Sequence, residues 1–174
     1  MREALTQTEF DARLREHQRW WSEGGVGRQL DLTGRSLTGL QLAGRRVDGV
    51  LFNEVDLSGA DLTGTDLHRT ELIGANLRHA KLVGADLYKA NLIGADLTKT
   101  FFVRADLRGA TLRNARLART GFHSDRVSGW DATGATGTVL PGSFVTDTSG
   151  LTDAIDALRQ AGALVRPFVR KAEP

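Results

Sequence analysis

The sequence of 174 residues has no cysteine, three prolines and one methionine. Without cysteine the chain has no disulfide framework and no thiolate to act as nucleophile or metal ligand. No apolar run approaches the roughly 18 residues that a membrane-spanning helix needs. The first ten residues are polar and partly acidic, and they lack the apolar core of a secretory signal. We therefore expect a cytoplasmic protein that does not enter a membrane.

The chain also lacks a large excess of charge of either sign. Its 23 basic and 21 acidic residues leave a formal net charge of +2. Residues 1–29 carry five basic and five acidic groups, residues 30–129 carry fourteen and eleven (net +3), and residues 130–174 carry four and five (net −1). No segment has the charge typical of a nucleic-acid-binding protein, so nucleic acid is not expected as a partner.

What the chain does have is a repeat of five residues. From Ala60 to Thr120 every fifth residue is Ala or Thr, and two places after each stands Leu or, at 102 and 122, Phe. Five residues advance an α-helix by about 500°, which forms no apolar stripe. In a flat strand, an odd step places successive leucines on opposite faces. The chain must therefore turn once per repeat, and a quarter turn each time closes a square coil in four repeats.

The sequences Ala60-Asp61-Leu62-Thr63-Gly64 and Ala95-Asp96-Leu97-Thr98-Lys99 resemble the A-(D/N)-L-x-x motif of the pentapeptide-repeat family. The resemblance implies a right-handed quadrilateral parallel β-helix. Its central residues number twenty from Leu32 to Val127, which at four per turn predicts about five coils. The family fixes the fold better than the function, because one fold hosts many functions.

Both ends of the repeat need a cover, since an end coil exposes unpaired strand edges and core leucines. Thr6 to Glu9 forms a capping-box pattern, which predicts a helix from about residue 7 to 22. Its covering side is predicted from four residues at helical spacing: Phe10, Leu14, His17 and Trp21. A second short helix is predicted to begin at Ser149 or Thr152. We divide the chain into a capping helix with a glycine loop (1–29), the β-helix (30–129), and a C-terminal cap, short helix and tail (130–174).

Residues twenty apart should stack in columns along the coil. Glycine alternates with basic residues at the third outward position, and we expect only the glycine corners to need a positive φ. Basic and acidic columns should lie beside one another as mutually compensating, solvated charges. The basic columns are His79–Lys99–Arg119 and Arg69–Lys89, and the acidic ones are Asp56–Asn76–Asp96 and Asp66–Asp86–Asp106.

Nothing in the sequence points to catalysis. The four histidines fall on different sides of the predicted coil or on the leading helix, so they share no metal site, and no nucleophile motif occurs. His68, Tyr88 and Arg108 share one column, which fits either an anion site or ordinary surface variation. We expect no enzyme activity, no cofactor and no metal.

The function expected is a non-catalytic scaffold that binds a protein partner, not identified by the sequence, through its flat faces. Phe101 occupies an outward position where the repeat prefers Asp or Asn, and Val83 and Val103 stack beside it as an apolar patch. The same pattern also fits β-branched residues that suit strands anywhere, or a C-terminal tail that folds over Phe101. A homodimer could form through a terminal helix or this apolar face. The resemblance implies one alternative function, because some family members protect DNA gyrase from inhibitors.

Overall fold

The computed structural model describes residues 5–25, 28–123 and 135. Its first element is the helix α1, Gln7–Ser22, as the sequence predicts. The Thr6 side chain accepts a hydrogen bond from the Glu9 backbone N–H, and the Glu9 side chain accepts one from the Thr6 N–H, so the predicted capping box is confirmed. Gly24 and Gly25, both with positive φ, follow the helix.

Helix α1 lies on the open end of the first coil. Phe10, Leu14 and His17 are its buried residues, whereas Trp21 remains 38% exposed. The predicted inward position of Trp21 is therefore only partly right. Its indole ring instead lies against Gly49, where an added Cβ would come within 2.3 Å of the ring.

Polar side chains of α1 pair with main-chain groups of the first coil. His17 Nε2 lies 2.7 Å from the Asp48 carbonyl oxygen, and His17 Nδ1 accepts a hydrogen bond from the Leu30 N–H at 3.1 Å. Gln18 donates to the Arg46 carbonyl, and the Gln7 side chain accepts from the Gln41 N–H. The helix thus satisfies backbone groups that no preceding coil pairs.

Beyond the helix, parallel β-bridges join residues twenty apart. Asp61 pairs with Lys81 and Lys81 with Phe101, and parallel series run along three other sides. Four repeats therefore make one turn, and the coil has four walls. We name each wall by one outward residue: the Tyr88 wall (46–48, 66–68, 86–88, 106–108), the Ile73 wall (31–33, 51–53, 71–73, 91–93, 111–113), the Arg78 wall (36–38, 56–58, 76–78, 96–98, 116–118) and the Phe101 wall (41–43, 61–63, 81–83, 101–103, 121–123).

Most of this pairing is too short to form extended strands. Within the described residues two strands occur, β1 at Phe101–Val103 and β2 at Gly121–His123, which pair in parallel with Phe101 opposite Gly121. The central Leu and Phe residues fill the interior, and Leu77, Leu97 and Phe102 are fully buried. Threonine fits beside them because its hydroxyl finds a main-chain acceptor, as when Thr65 donates to the Leu42 carbonyl at 2.9 Å.

The corners correct one expectation. Each corner is a β-turn in which the N–H after the turn donates back to the central residue, as from Thr65 to Leu62 at 3.1 Å. The third residue of this turn takes a positive φ whether or not it is glycine, so the expectation that only glycine corners need it is wrong. Eight other residues adopt it, with φ from 54° to 60°: Glu54, Arg69, His79, Lys89, Lys99, Arg104, Asn114 and Arg119.

The Asp and Asn residues that precede the central leucines have a structural role that charge compensation does not explain. The Asp61 carboxylate accepts a hydrogen bond from the Thr63 N–H at 3.0 Å, two residues ahead and just before the corner. Asp56, Asp66 and Asp86 make the same contact, and asparagine does so at Asn76. Asp and Asn are the residues whose short side chains form this turn, which is why they precede the central leucine.

No helix among the described residues is long and apolar enough to cross a membrane. The predicted C-terminal helix and tail lie outside the described residues.

Candidate protein-binding wall

The Phe101 wall brings the three sequence-predicted residues together. Phe101 is 42% exposed and Val83 37% exposed. Val103 is partly buried. It lies in strand β1 with Phe101, and both side chains point outward while that of Phe102 between them is buried. Val83 lies below Val103, because the Gly84 N–H donates to the Val103 carbonyl at 2.7 Å. The wall therefore presents a contiguous apolar patch in its upper part, next to strand β2.

One edge of this wall is open. Gly44, Gly64 and Gly84 form its corner column towards the Tyr88 wall, and an added Cβ at any of the three would meet no atom within 4 Å. Arg104 is the last member of this column that the structure describes. A partner can therefore approach the main chain along most of this edge without meeting side chains.

The opposite edge is basic. His79, Lys99 and Arg119 form the upper part of the corner column between the Arg78 and Phe101 walls, above Gly39 and Gly59. His79 and Arg119 are exposed, and Lys99 is partly exposed. Residues of one column are separated by about 4.8 Å per coil, so the three side chains form a short row beside Phe101.

Sequence reasoning did not identify a second apolar region on the opposite side. Ile73 is 38% exposed, and Ile93 lies directly above it on the Ile73 wall. The signal was present, because both occupy the outward place that Val83 and Val103 occupy on the Phe101 wall. Glu54 and Glu71 lie beside this region and Arg113 lies directly above Ile93, so its surroundings carry charges of both signs.

The Tyr88 wall carries the predicted column of His68, Tyr88 and Arg108. The His68 ring meets the Tyr88 ring edge-on, with centroids 5.2 Å apart, and Arg108 lies over the Tyr88 ring at 5.6 Å. The Arg108 guanidinium also donates to both oxygens of Asp106, and hydrogen bonding to Asp106 raises the pKa of Arg108. Because the Arg108 guanidinium is already paired with the Asp106 carboxylate, the geometry does not favour an anion site in this column.

Among the described residues, no group of three His, Asp or Glu side chains is placed to hold a metal ion. Two of the histidines contact separate partners, since His17 of α1 contacts the first coil and the His68 ring contacts the Tyr88 ring.

Comparison with known proteins gives a consistent result. A family model described as pentapeptide repeats matches residues 51–87 and 85–122, in 8 copies, and it indicates no catalytic family. These repeats imply a right-handed quadrilateral β-helix. No curated protein matches the chain.

Several solved structures are similar to the chain. One is the pentapeptide repeat protein Rfr23 from the cyanobacterium Cyanothece 51142, at 33% identity and a TM-score of 0.43 over 58% of this chain. The match covers 64% of Rfr23, less than two thirds of its length. Another is a pentapeptide repeat protein of the Arabidopsis thaliana thylakoid lumen, at 28% identity and a TM-score of 0.41 over 79% of both chains. A third is QnrB1, a plasmid-mediated fluoroquinolone resistance protein, at 18% identity and a TM-score of 0.33 over 64% of this chain and 73% of QnrB1.

Proposed function

The chain belongs to the pentapeptide-repeat family, and on that premise we propose that it is a non-catalytic scaffold that binds a protein partner through the Phe101 wall. The observation that carries the proposal is the exposure of Phe101, 42%, beside Val83, 37%. Contiguous apolar residues on a flat surface are typical of protein-binding sites. Aromatic residues supply much of the binding energy at such sites.

The substitution Phe101→Asp tests the proposal. If a partner covers Phe101, the isolated variant keeps the melting temperature of the wild type, because a charge at an exposed site costs little. The same variant loses self-association in analytical ultracentrifugation, or loses the proteins that the wild type captures from the native host. Ile73→Asp is the matched control, since it places the same charge at a similarly exposed site on the opposite wall.

A lower melting temperature for Phe101→Asp alone would mean that another part of the chain covers Phe101, where the aspartate becomes a costly buried charge. An unchanged melt with unchanged self-association and unchanged capture would remove Phe101 from the site. A second copy of the chain is one partner that fits the proposal, through this wall or a terminal helix.

The alternative function is protection of DNA gyrase from inhibitors. A protein that replaces DNA on gyrase needs a strongly acidic surface, whereas residues 30–129 carry fourteen basic and eleven acidic groups, a net charge of +3. We therefore rank this function second. Inhibition of gyrase supercoiling by submicromolar protein would reverse the order.

We further propose that the coil comprises about five turns, because twenty central residues from Leu32 to Val127 are shared among four walls. This length sets how much wall is available to a partner.

A further inference from the structure

The charge of the coil is concentrated at the Phe101 wall. The wall and its two edges hold four cations, Lys81, Lys99, Arg104 and Arg119, and one carboxylate, Asp61, which gives a net charge of +3. This equals the net charge of the whole segment 30–129, fourteen basic minus eleven acidic groups, so the remaining residues of that segment balance to zero.

The cations surround the apolar patch rather than lying apart from it. Lys81 is the bridge partner directly below Phe101, Lys99 precedes Phe101 by two residues, and Arg104 follows Val103 at the next corner. The single carboxylate, Asp61, is the bridge partner of Lys81 and lies one coil further from Phe101.

From this arrangement we infer that the partner is an acidic amphipathic α-helix that lies along the coil axis. Its apolar stripe covers Phe101, Val83 and Val103, and its flanking carboxylates face Lys99 and Arg119 on one edge and Arg104 on the other. The inference rests on the proposed function and gives it a partner class.

The main chain of the wall explains why the partner is a helix and not an added strand. Its N–H and C=O groups pair with the coils above and below, as from Leu82 N–H to the Phe101 carbonyl and from Phe101 N–H to the Ala80 carbonyl. Along its described length the wall therefore offers no free edge for β-augmentation. A helix satisfies its own main chain and presents side chains about 6 Å apart at i and i+4, close to the coil spacing of about 4.8 Å.

The phosphate backbone of a nucleic acid fits the cations but brings nothing apolar to Val83 and Val103. A basic helix fits the apolar patch but is repelled by all four cations, because like charges that face each other across an interface exclude such partners. Only an acidic, amphipathic segment matches both features of the wall.

A displayed library of helices of about four turns provides the test. Each helix carries a fixed apolar stripe, and its flanking positions are randomised among Glu, Gln and Lys. Sequences are selected on the full-length wild-type protein and counter-selected on Phe101→Asp. We expect Glu to exceed Lys at the flanking positions roughly tenfold.

The selected peptide is then measured by fluorescence anisotropy. Lys99→Glu and Arg104→Glu should each weaken binding roughly tenfold. They are tested as separate variants, so that a folding defect in one still leaves the other to test the inference. Lys89→Glu is the matched control, because Lys89 has the same corner conformation (φ 56°, against 59° for Lys99) at an edge that does not border the Phe101 wall. Its affinity should equal that of the wild type.

Three outcomes would overturn the inference. If the selected helices need Phe101 for binding but carry Lys or Gln at their flanking positions, the proposed function is supported and the acidic partner is excluded. If selection yields no helix whose binding depends on Phe101, both the acidic-helix partner and the proposed binding role of this wall are wrong. Displacement of the peptide by single-stranded DNA of about twenty nucleotides, at comparable affinity, would assign the wall to nucleic acid instead.

Discussion

The conformational free-energy cost of the positive φ at the third residue of each corner turn depends on that residue's side chain. A positive φ costs achiral glycine little, whereas it costs an L-residue about 1 kcal/mol or more. Lysine, arginine and histidine nevertheless adopt it at Lys89, Arg69 and His79. The hydrogen bonds between stacked coils on either side of each corner fix the turn geometry, and they offset the cost of the positive φ.

Exchanging residues at two corners measures that cost. Gly64→Ala should lower the free energy of unfolding by about 1 kcal/mol in chemical denaturation, although an added Cβ meets no atom within 4 Å. Arg69→Gly should not lower it, because relief at φ 54° offsets the greater freedom of glycine in the unfolded chain. A loss for Arg69→Gly as large as that for Gly64→Ala would contradict the turn geometry.

The turn-forming carboxylates make stability depend on acid. Hydrogen bonds from the Thr63 side chain and N–H lower the pKa of Asp61. Partial burial raises the pKa of Asp96, but hydrogen bonds from Thr98 and Arg78 outweigh it and leave the pKa lowered. A folded-state pKa below the unfolded value stabilises the fold above the ordinary aspartate pKa of 3.8, and this contribution is lost as the pH falls through the folded-state pKa.

Asp96→Asn should therefore reduce the loss of melting temperature on acidification while preserving the turn. The amide oxygen can still accept the Thr98 N–H, as Asn91 accepts the Ile93 N–H. Melting curves recorded from neutral pH to below the ordinary aspartate pKa provide the measurement. Identical acid profiles for the variant and the wild type would show that Asp96 does not contribute.

At the scale of elements, α1 is held by a histidine whose two ring nitrogens are both in use. His17 is fully buried, and because Nδ1 accepts the Leu30 N–H, Nε2 carries the proton that is donated to the Asp48 carbonyl. The ring also lies near the rings of Trp20 and Trp21, with centroids 5.6 and 6.2 Å away. Through these contacts the helix closes the first coil.

His17→Ala should lower the free energy of unfolding by about 2–4 kcal/mol, because a buried donor and a buried acceptor lose their partner. Glu16→Ala on the exposed side of the same helix is the control and should change it by at most about 0.5 kcal/mol. Equal effects of the two substitutions would show that α1 does not close the coil in solution.

Local signals predicted α1 well and the corners only partly. The helix followed from Thr6, Glu9 and the spacing of Phe10, Leu14 and His17, because capping and amphipathicity are local properties. The positive φ at residues such as Lys99 could not be predicted, because propensity argues against it and the stacked coils override propensity. The outward direction of Phe101 could be predicted from the repeat. The clustering of cations around Phe101 is seen only when residues twenty apart are stacked in the coil.

At the scale of the whole molecule, each coil contacts its neighbours alone, so stability is approximately a sum over stacked coils. The same stacking turns a linear sequence into four surface walls. The location of the apolar patch, the basic edge and the acidic turn residues all depends on one structural claim, that four repeats complete one turn.

Cross-linking tests that claim directly, because the chain has no cysteine of its own. Asn91→Cys with Thr111→Cys places two thiols on bridge partners twenty residues apart, and a spacing of about 4.8 Å lies within the range for a disulfide. Asn91→Cys with Arg116→Cys, twenty-five residues apart, places them on adjacent walls. The four-repeat coil predicts that oxidation joins the first pair within each monomer and leaves the second pair as free thiols, as read by mass spectrometry. Closure of the second pair in preference to the first would contradict it.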